Sequence, residues 1–216
     1  MSGTTAKFRV GLAASAAVFA LSVSIGAASA AEKSAAEILN ALKPPKAVAT
    51  RSLSGGAEGS ARALSPEDRS FLKSVRGKSR SLSAGERDRV ASIAKDKPSI
   101  DLEITFDYNS ANLSRKSMNA VNELGKALSN PELKGSVFLV AGHTDAKGTD
   151  DYNQVLSEKR AETIKRFLLQ KYGVAAENMV TVGYGKTQLK NTADPLAEEN
   201  RRVQVVNMEA SKEAKN

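Results

Sequence analysis

No cysteine occurs among the 216 residues, and histidine occurs once, as His143. Without cysteine no disulfide can hold the chain in an oxidising compartment, so stability must come from a core. A lipid-modified N-terminal cysteine is excluded for the same reason. One histidine and no thiol argue against a zinc site. Beyond the first thirty residues, no run is apolar enough to span a bilayer as a helix. Nor is there the series of alternating segments that builds an outer-membrane barrel. The expectation is a chain that works in solution or holds a surface by contacts.

The opening "MSGTTAKFRVGLAASAAVFALSVSIGAASA" supplies the one long apolar run. Lys7 and Arg9 precede it, and Ala28-Ser29-Ala30 follows where a peptidase would cut. That is the pattern of a secretory signal spanning 1–30. Retention as an uncleaved membrane anchor is the alternative.

Net charge is absent from the second half of the chain. Residues 31–100 hold 14 Lys+Arg against 8 Asp+Glu, whereas residues 101–216 hold 16 of each. The asymmetry describes a basic arm on a neutral domain. A secreted chain rarely meets nucleic acid. Envelope lipid head groups, envelope proteins or anionic wall polymer are the partners such an arm suits; a solvated linker is the plain alternative.

Within 31–100 the pattern is of short helices on a flexible thread. Ser34 and Glu37 have capping-box spacing, with Ile38, Leu39 and Leu42 following at helical intervals and Pro44-Pro45 closing the segment. "SLSGGAEGSA" (52–61) reads as a linker. "RALSPEDRSFLKSV" (62–75) and "RSLSAGERDRVASI" (80–93) form a weak repeat offset by 18 residues, each with a serine N-cap, Ser65 or Ser83. Helices this short are marginal alone.

Residues 101–208 read as one α+β domain, and 209–216 as a disordered tail. "DLEITF" (101–106) alternates as a half-buried strand does. Ser114 can cap a helix bearing Met118, Val121, Leu124 and Leu128 on one face. "SVFLVAG" (136–142) is almost continuously apolar, hence an inner strand. Ser157 can cap a second helix that ends at Tyr172, with Gly173 at its C-terminal turn. "MVTVGYG" (179–185) and "RVQVVNM" (202–208) complete the strands. The order β-α-β-α-β-β predicts two helices on one face of a small mixed sheet.

The stretch "GHTDAKGTDDYNQVLSEKRA" (142–161) carries the chemistry. A helix starting at Ser157 puts Lys159 and Arg160 in its first turn, where cations are unfavourable. Asp145, on the preceding loop, could offset Arg160. Such a pair either pins the loop as an ion pair or works as a split receptor for a zwitterion, with Asp145 taking an ammonium and Arg160 a carboxylate. Both readings stay open at this level. His143, Asp145 and Ser157 are close in sequence, but sequence proximity does not make a catalytic triad. "DAKGTDDYN" lacks the spacing and closing glutamate of a calcium loop.

With Gly173-Val174, "GYG" and "NRRV" (200–203), this stretch resembles the OmpA-like C-terminal domain, over about residues 101–208; "ITFDYNSANL" (104–113) fits that domain's first strand and loop. The resemblance implies non-covalent binding of peptidoglycan through the diaminopimelate of its stem peptide, without catalysis, cofactor or metal. The family's acid falls on Asp145 and its arginine on Arg160, with supporting positions at Asn109, Asn153, Thr144 and Arg201. It further implies a tether in the periplasm, associated with the wall and the outer membrane. An enzyme acting on the wall is the rival of a different class. One departure is visible: the family's Gly-Arg before the NRRV motif is Leu196-Ala197 here, so the loop has room to run differently.

Overall fold

The computed structural model describes residues 1, 32–44, 64–76, 81–106 and 110–209. The signal-like segment, the 52–61 linker, the end of the tail and Asn109 therefore lie outside the described residues.

Four strands form one mixed sheet: β1 (Ser99–Leu102), β2 (Phe138–His143), β3 (Met179–Gly185) and β4 (Val203–Asn207). Their order is β1-β4-β2-β3. β2 runs parallel to β3, and β4 lies antiparallel to both β1 and β2. β1 is shorter than the "DLEITF" expectation and starts two residues earlier. After it, Phe106 makes an isolated bridge to Leu113.

Two helices, α4 (Met118–Leu128) and α5 (Asp150–Tyr172), follow β1 and β2 as the periodicity predicts. α5 starts seven residues before the expected cap. Thr149 is its N-cap, its side chain accepting from Tyr152 N–H. Asp150 and Asp151 fill the first turn, the charge sign that the helix N-terminus favours. Ser157 is therefore a mid-helix residue. Its hydroxyl donates to Gln154 O at 2.8 Å and accepts from Gly185 N–H at 2.9 Å, stitching α5 to the end of β3. Two glycines permit that approach. A Cβ on Gly142 would strike the Ser157 carbonyl, and one on Gly183 would strike the Ser157 hydroxyl. Gly173 ends α5 at φ 64°, as expected.

The segment before the domain departs from the flexible-thread expectation wherever it is described. α1 (Ala35–Leu42) has the Ser34/Glu37 capping box. It packs against α4 and β1, with Ile38 and Leu42 fully buried in the core that also holds Val121, Leu124, Val140 and Ile164. Ala35 N–H donates to Glu123 at 2.8 Å, and the buried Asn207 amide donates to Leu42 O at 3.0 Å. α2 (Pro66–Val75) and α3 (Ala84–Ala94) start at Ser65 and Ser83, as the repeat predicts. They cover the opposite face of the sheet. Leu72, Val75, Leu82 and Val90 pack on Leu139, Ala141, Val180, Val182 and Val206. Leu72 and Val90, equivalent in the repeat, are both buried. Arg89 joins the two units, pairing with Asp68 at 3.1 Å and lying over the Phe71 ring at 4.4 Å. The result is three layers, with a helical layer on each face.

Candidate functional site

At the end of β2 the chain leaves the sheet through Thr144 and Asp145, turns at Gly148 with φ 94°, and enters α5. The turn is over-determined. Lys147 N–H donates to Asp145 Oδ1 at 3.1 Å, and the buried Asn153 amide donates to Lys147 O at 2.9 Å. Ala146 N–H donates to Pro195 O at 3.0 Å, tying in the loop that follows β3. Asn200, fully buried, folds that loop. Its carbonyl accepts from Lys190 and Asn191 N–H groups, and its amide reaches Asn191, Asp194 and Pro195 carbonyls. So Leu196-Ala197 does not divert the chain: Arg201, next to Asn200, still arrives at the turn.

These segments enclose a cleft of about 470 Å³. Asp145, Thr144, Asn153, Arg160 and Arg201 all line it, so five of the six expected site residues converge. The expected pairing differs, however. Asp145 Oδ2 accepts from Arg201 Nη1 at 3.0 Å, and Arg201 also lies 3.4 Å from Glu198. Arg160 belongs to the third turn of α5, not the first, so no unfavourable helix-end charge needs offsetting. Its guanidinium lies 4.8 Å over the Phe106 ring and donates through Nε to Ser110 O at 3.3 Å. Burial pushes its pKa below the ordinary arginine range, with the charges of Tyr152 and Asp145 opposing; the group stays a cation. No acid among the described residues pairs with it.

The arrangement is a held carboxylate and a held guanidinium facing one space without neutralising each other. Thr144 adds a buried hydroxyl with no hydrogen-bond partner among the described residues. Phe106 and Leu156 supply apolar walls. His143 takes no part. It is buried against Tyr184, ring centroids 5.4 Å apart. Burial, with nearby Arg202, holds its pKa down at about 3. Ser157 is equally inaccessible. Among the described residues no three His, Cys, Asp or Glu side chains are grouped to hold a metal.

Residues 105–202 match the family model described as OmpA family. These residues are a domain of the OmpA family. The chain is 32% identical over 117 residues to outer membrane porin F of Pseudomonas aeruginosa, which covers 54% of this chain and 32% of that protein. It is 35% identical over 94 residues to outer membrane protein A of Escherichia fergusonii, covering 43% of this chain and 38% of that one. The chain thus spans about a third of the length of these curated relatives. Among solved structures, the peptidoglycan-associated lipoprotein of Burkholderia pseudomallei is 30% identical, covering 48% of this chain and 86% of that one, with a TM-score of 0.40. The OmpA family match and these relatives indicate no catalytic family.

Phe106, Lys147, Tyr152 and Leu156 also line the OmpA-type cleft and were not singled out from sequence. The signal for two of them, Tyr152 and Leu156, is the helix start at Asp150. Once Thr149 is taken as the cap, Tyr152, Asn153, Leu156 and Arg160 fall at helical intervals on one face.

Proposed function

We propose that the cleft binds peptidoglycan non-covalently through the side arm of diaminopimelate in a stem peptide, and that the chain serves as a wall tether in the bacterial envelope. The observation that carries this reading is the separation of Asp145 from Arg160 across one cleft, each fixed by other groups. A ligand with an ammonium and a carboxylate on the same carbon meets both charges. Asp145 accepts the ammonium, sharing its carboxylate with Arg201. Arg160 offers its guanidinium edge to the carboxylate while Phe106 holds its face. Thr144 offers its hydroxyl, and Asn153 keeps the turn in shape. Asn109 is assigned a supporting role by the family resemblance alone. The relatives named for the outer membrane and for peptidoglycan association favour an envelope location, with secretion by the N-terminal segment and a periplasmic site of action.

Sedimentation with purified wall sacculi tests the site. Each charge-assisted contact contributes about 1.5–3 kcal/mol, so Asp145→Ala and Arg160→Ala should each lower affinity about ten- to hundredfold. Both variants should keep the wild-type unfolding midpoint to within a few degrees. Undiminished sedimentation of both would leave Asp145 and Arg160 as loop pins only.

A further inference from the structure

Resting on that reading of the cleft, the charges at its rim point to a second feature of the ligand. Three cations line the cleft, Lys147, Arg160 and Arg201, against one carboxylate, Asp145. A side-arm zwitterion engages Asp145 and Arg160. Arg201 retains Glu198, at 3.4 Å. Lys147 is left with no ion pair among the described residues. The neighbouring rim lysine, Lys186, is differently placed: it pairs with Asp150 at 2.8 Å and donates to Gly148 O at 3.0 Å. The backbone of Lys147 is pinned on both sides, by Asp145 and by Asn153. Its side chain is exposed, and its ammonium makes no hydrogen bond or ion pair among the described residues.

We propose that Lys147 reads a second carboxylate on the same stem peptide, so that the preferred ligand carries a diaminopimelate zwitterion and one further free acid. A stem ending in diaminopimelate has two such acids: the α-carboxylate of its γ-linked glutamate and its C-terminal carboxylate. The two share one chemistry, and amidating each in turn separates them. A lysine is suited to this task as a mobile point charge, whereas the zwitterion's carboxylate requires the planar arginine. The contact is solvent-exposed, so its contribution is small and salt-sensitive.

Calorimetry at low ionic strength with three synthetic stems tests it: both acids free, glutamate amidated, and C-terminus amidated. One of the two amidations should weaken wild-type binding by about three- to fivefold, the size of an exposed ion pair, and thereby name the acid. Lys147→Gln should bind the free and amidated stems equally, and Lys147→Arg should restore the preference. Equal wild-type affinity for all three stems, or a preference that survives in Lys147→Gln, overturns the proposal while leaving the diaminopimelate reading intact. Absence of binding to every stem overturns both.

Discussion

The two faces of the sheet are covered from different parts of the chain. On one face α4 and α5, both inside the OmpA-type domain, are joined by α1. On the other face the covering layer is α2 and α3, which come entirely from the basic segment before the domain. The first face carries the geometry of the cleft, because α5 delivers Asn153, Leu156 and Arg160 to it. The second face carries none of the lining residues of that cleft. A segment that looks like a spacer in composition is, where described, half of the domain's covering.

The sharpest way to break this comparison is to remove the segment. Residues 98–216 alone keep all four strands but lose Ile38, Leu42, Leu72, Val75, Leu82 and Val90 from the core. Burying each such side chain contributes about 1.5–3 kcal/mol, and a typical domain has only about 5–15 kcal/mol in hand. The shortened chain is expected to bind a hydrophobic dye and to melt without a cooperative transition. A cooperative transition at the full-length midpoint would show that the second face needs no cover.

A milder test compares one residue from each face. Leu72→Ala and Ile38→Ala should each destabilise by about 2–5 kcal/mol in denaturant unfolding, since both side chains are almost fully buried. If Leu72→Ala costs as little as a surface substitution, about 0.5 kcal/mol or less, α2 is not held on the sheet.

The smallest effect comes from His143, on the strand both faces share. Its pKa falls from 6.5 to about 3 on folding, through burial first and Arg202 second. The unfolded chain therefore binds a proton that the folded chain refuses, and stability drops as pH falls through that window. Between pH 6.5 and 5 the loss should be about 1–2 kcal/mol, the slope approaching 1.36 kcal/mol per unit only below the unfolded pKa. His143→Gln should flatten that slope, whatever its own stability; an unchanged slope would place the titration elsewhere.

The order of strands and helices within the domain was legible because its periods are clean: "MVTVGYG" is a strand over its quoted span, and Gly173 stops α5 where expected. A second helical layer is also implied by the sequence. The continuous apolar run of β2 means both its faces are buried, which two helices on one face cannot satisfy. The start of α5 differs from the expectation because serine ranks above threonine as an N-cap, and because acids such as Asp150 and Asp151 suit a loop as well as a first helical turn. That shift moved Arg160 two turns deeper and removed the reason for pairing it with Asp145. The true partner, Arg201, is 56 residues away in sequence, and no local pattern carries that contact. Resemblance did bring it to the cleft, along with Thr144 and Asn153.

The central claim is that Asp145 and Arg160 receive one zwitterion rather than merely hold a turn. Calorimetry with matched stem peptides, one containing diaminopimelate and one containing lysine at the same position, tests it most directly. The lysine stem keeps the amine and loses the carboxylate, leaving Arg160 without an anion. Loss of a charge-assisted contact of about 1.5–3 kcal/mol predicts at least about tenfold weaker binding of the lysine stem. Equal affinity for the two stems would contradict the account.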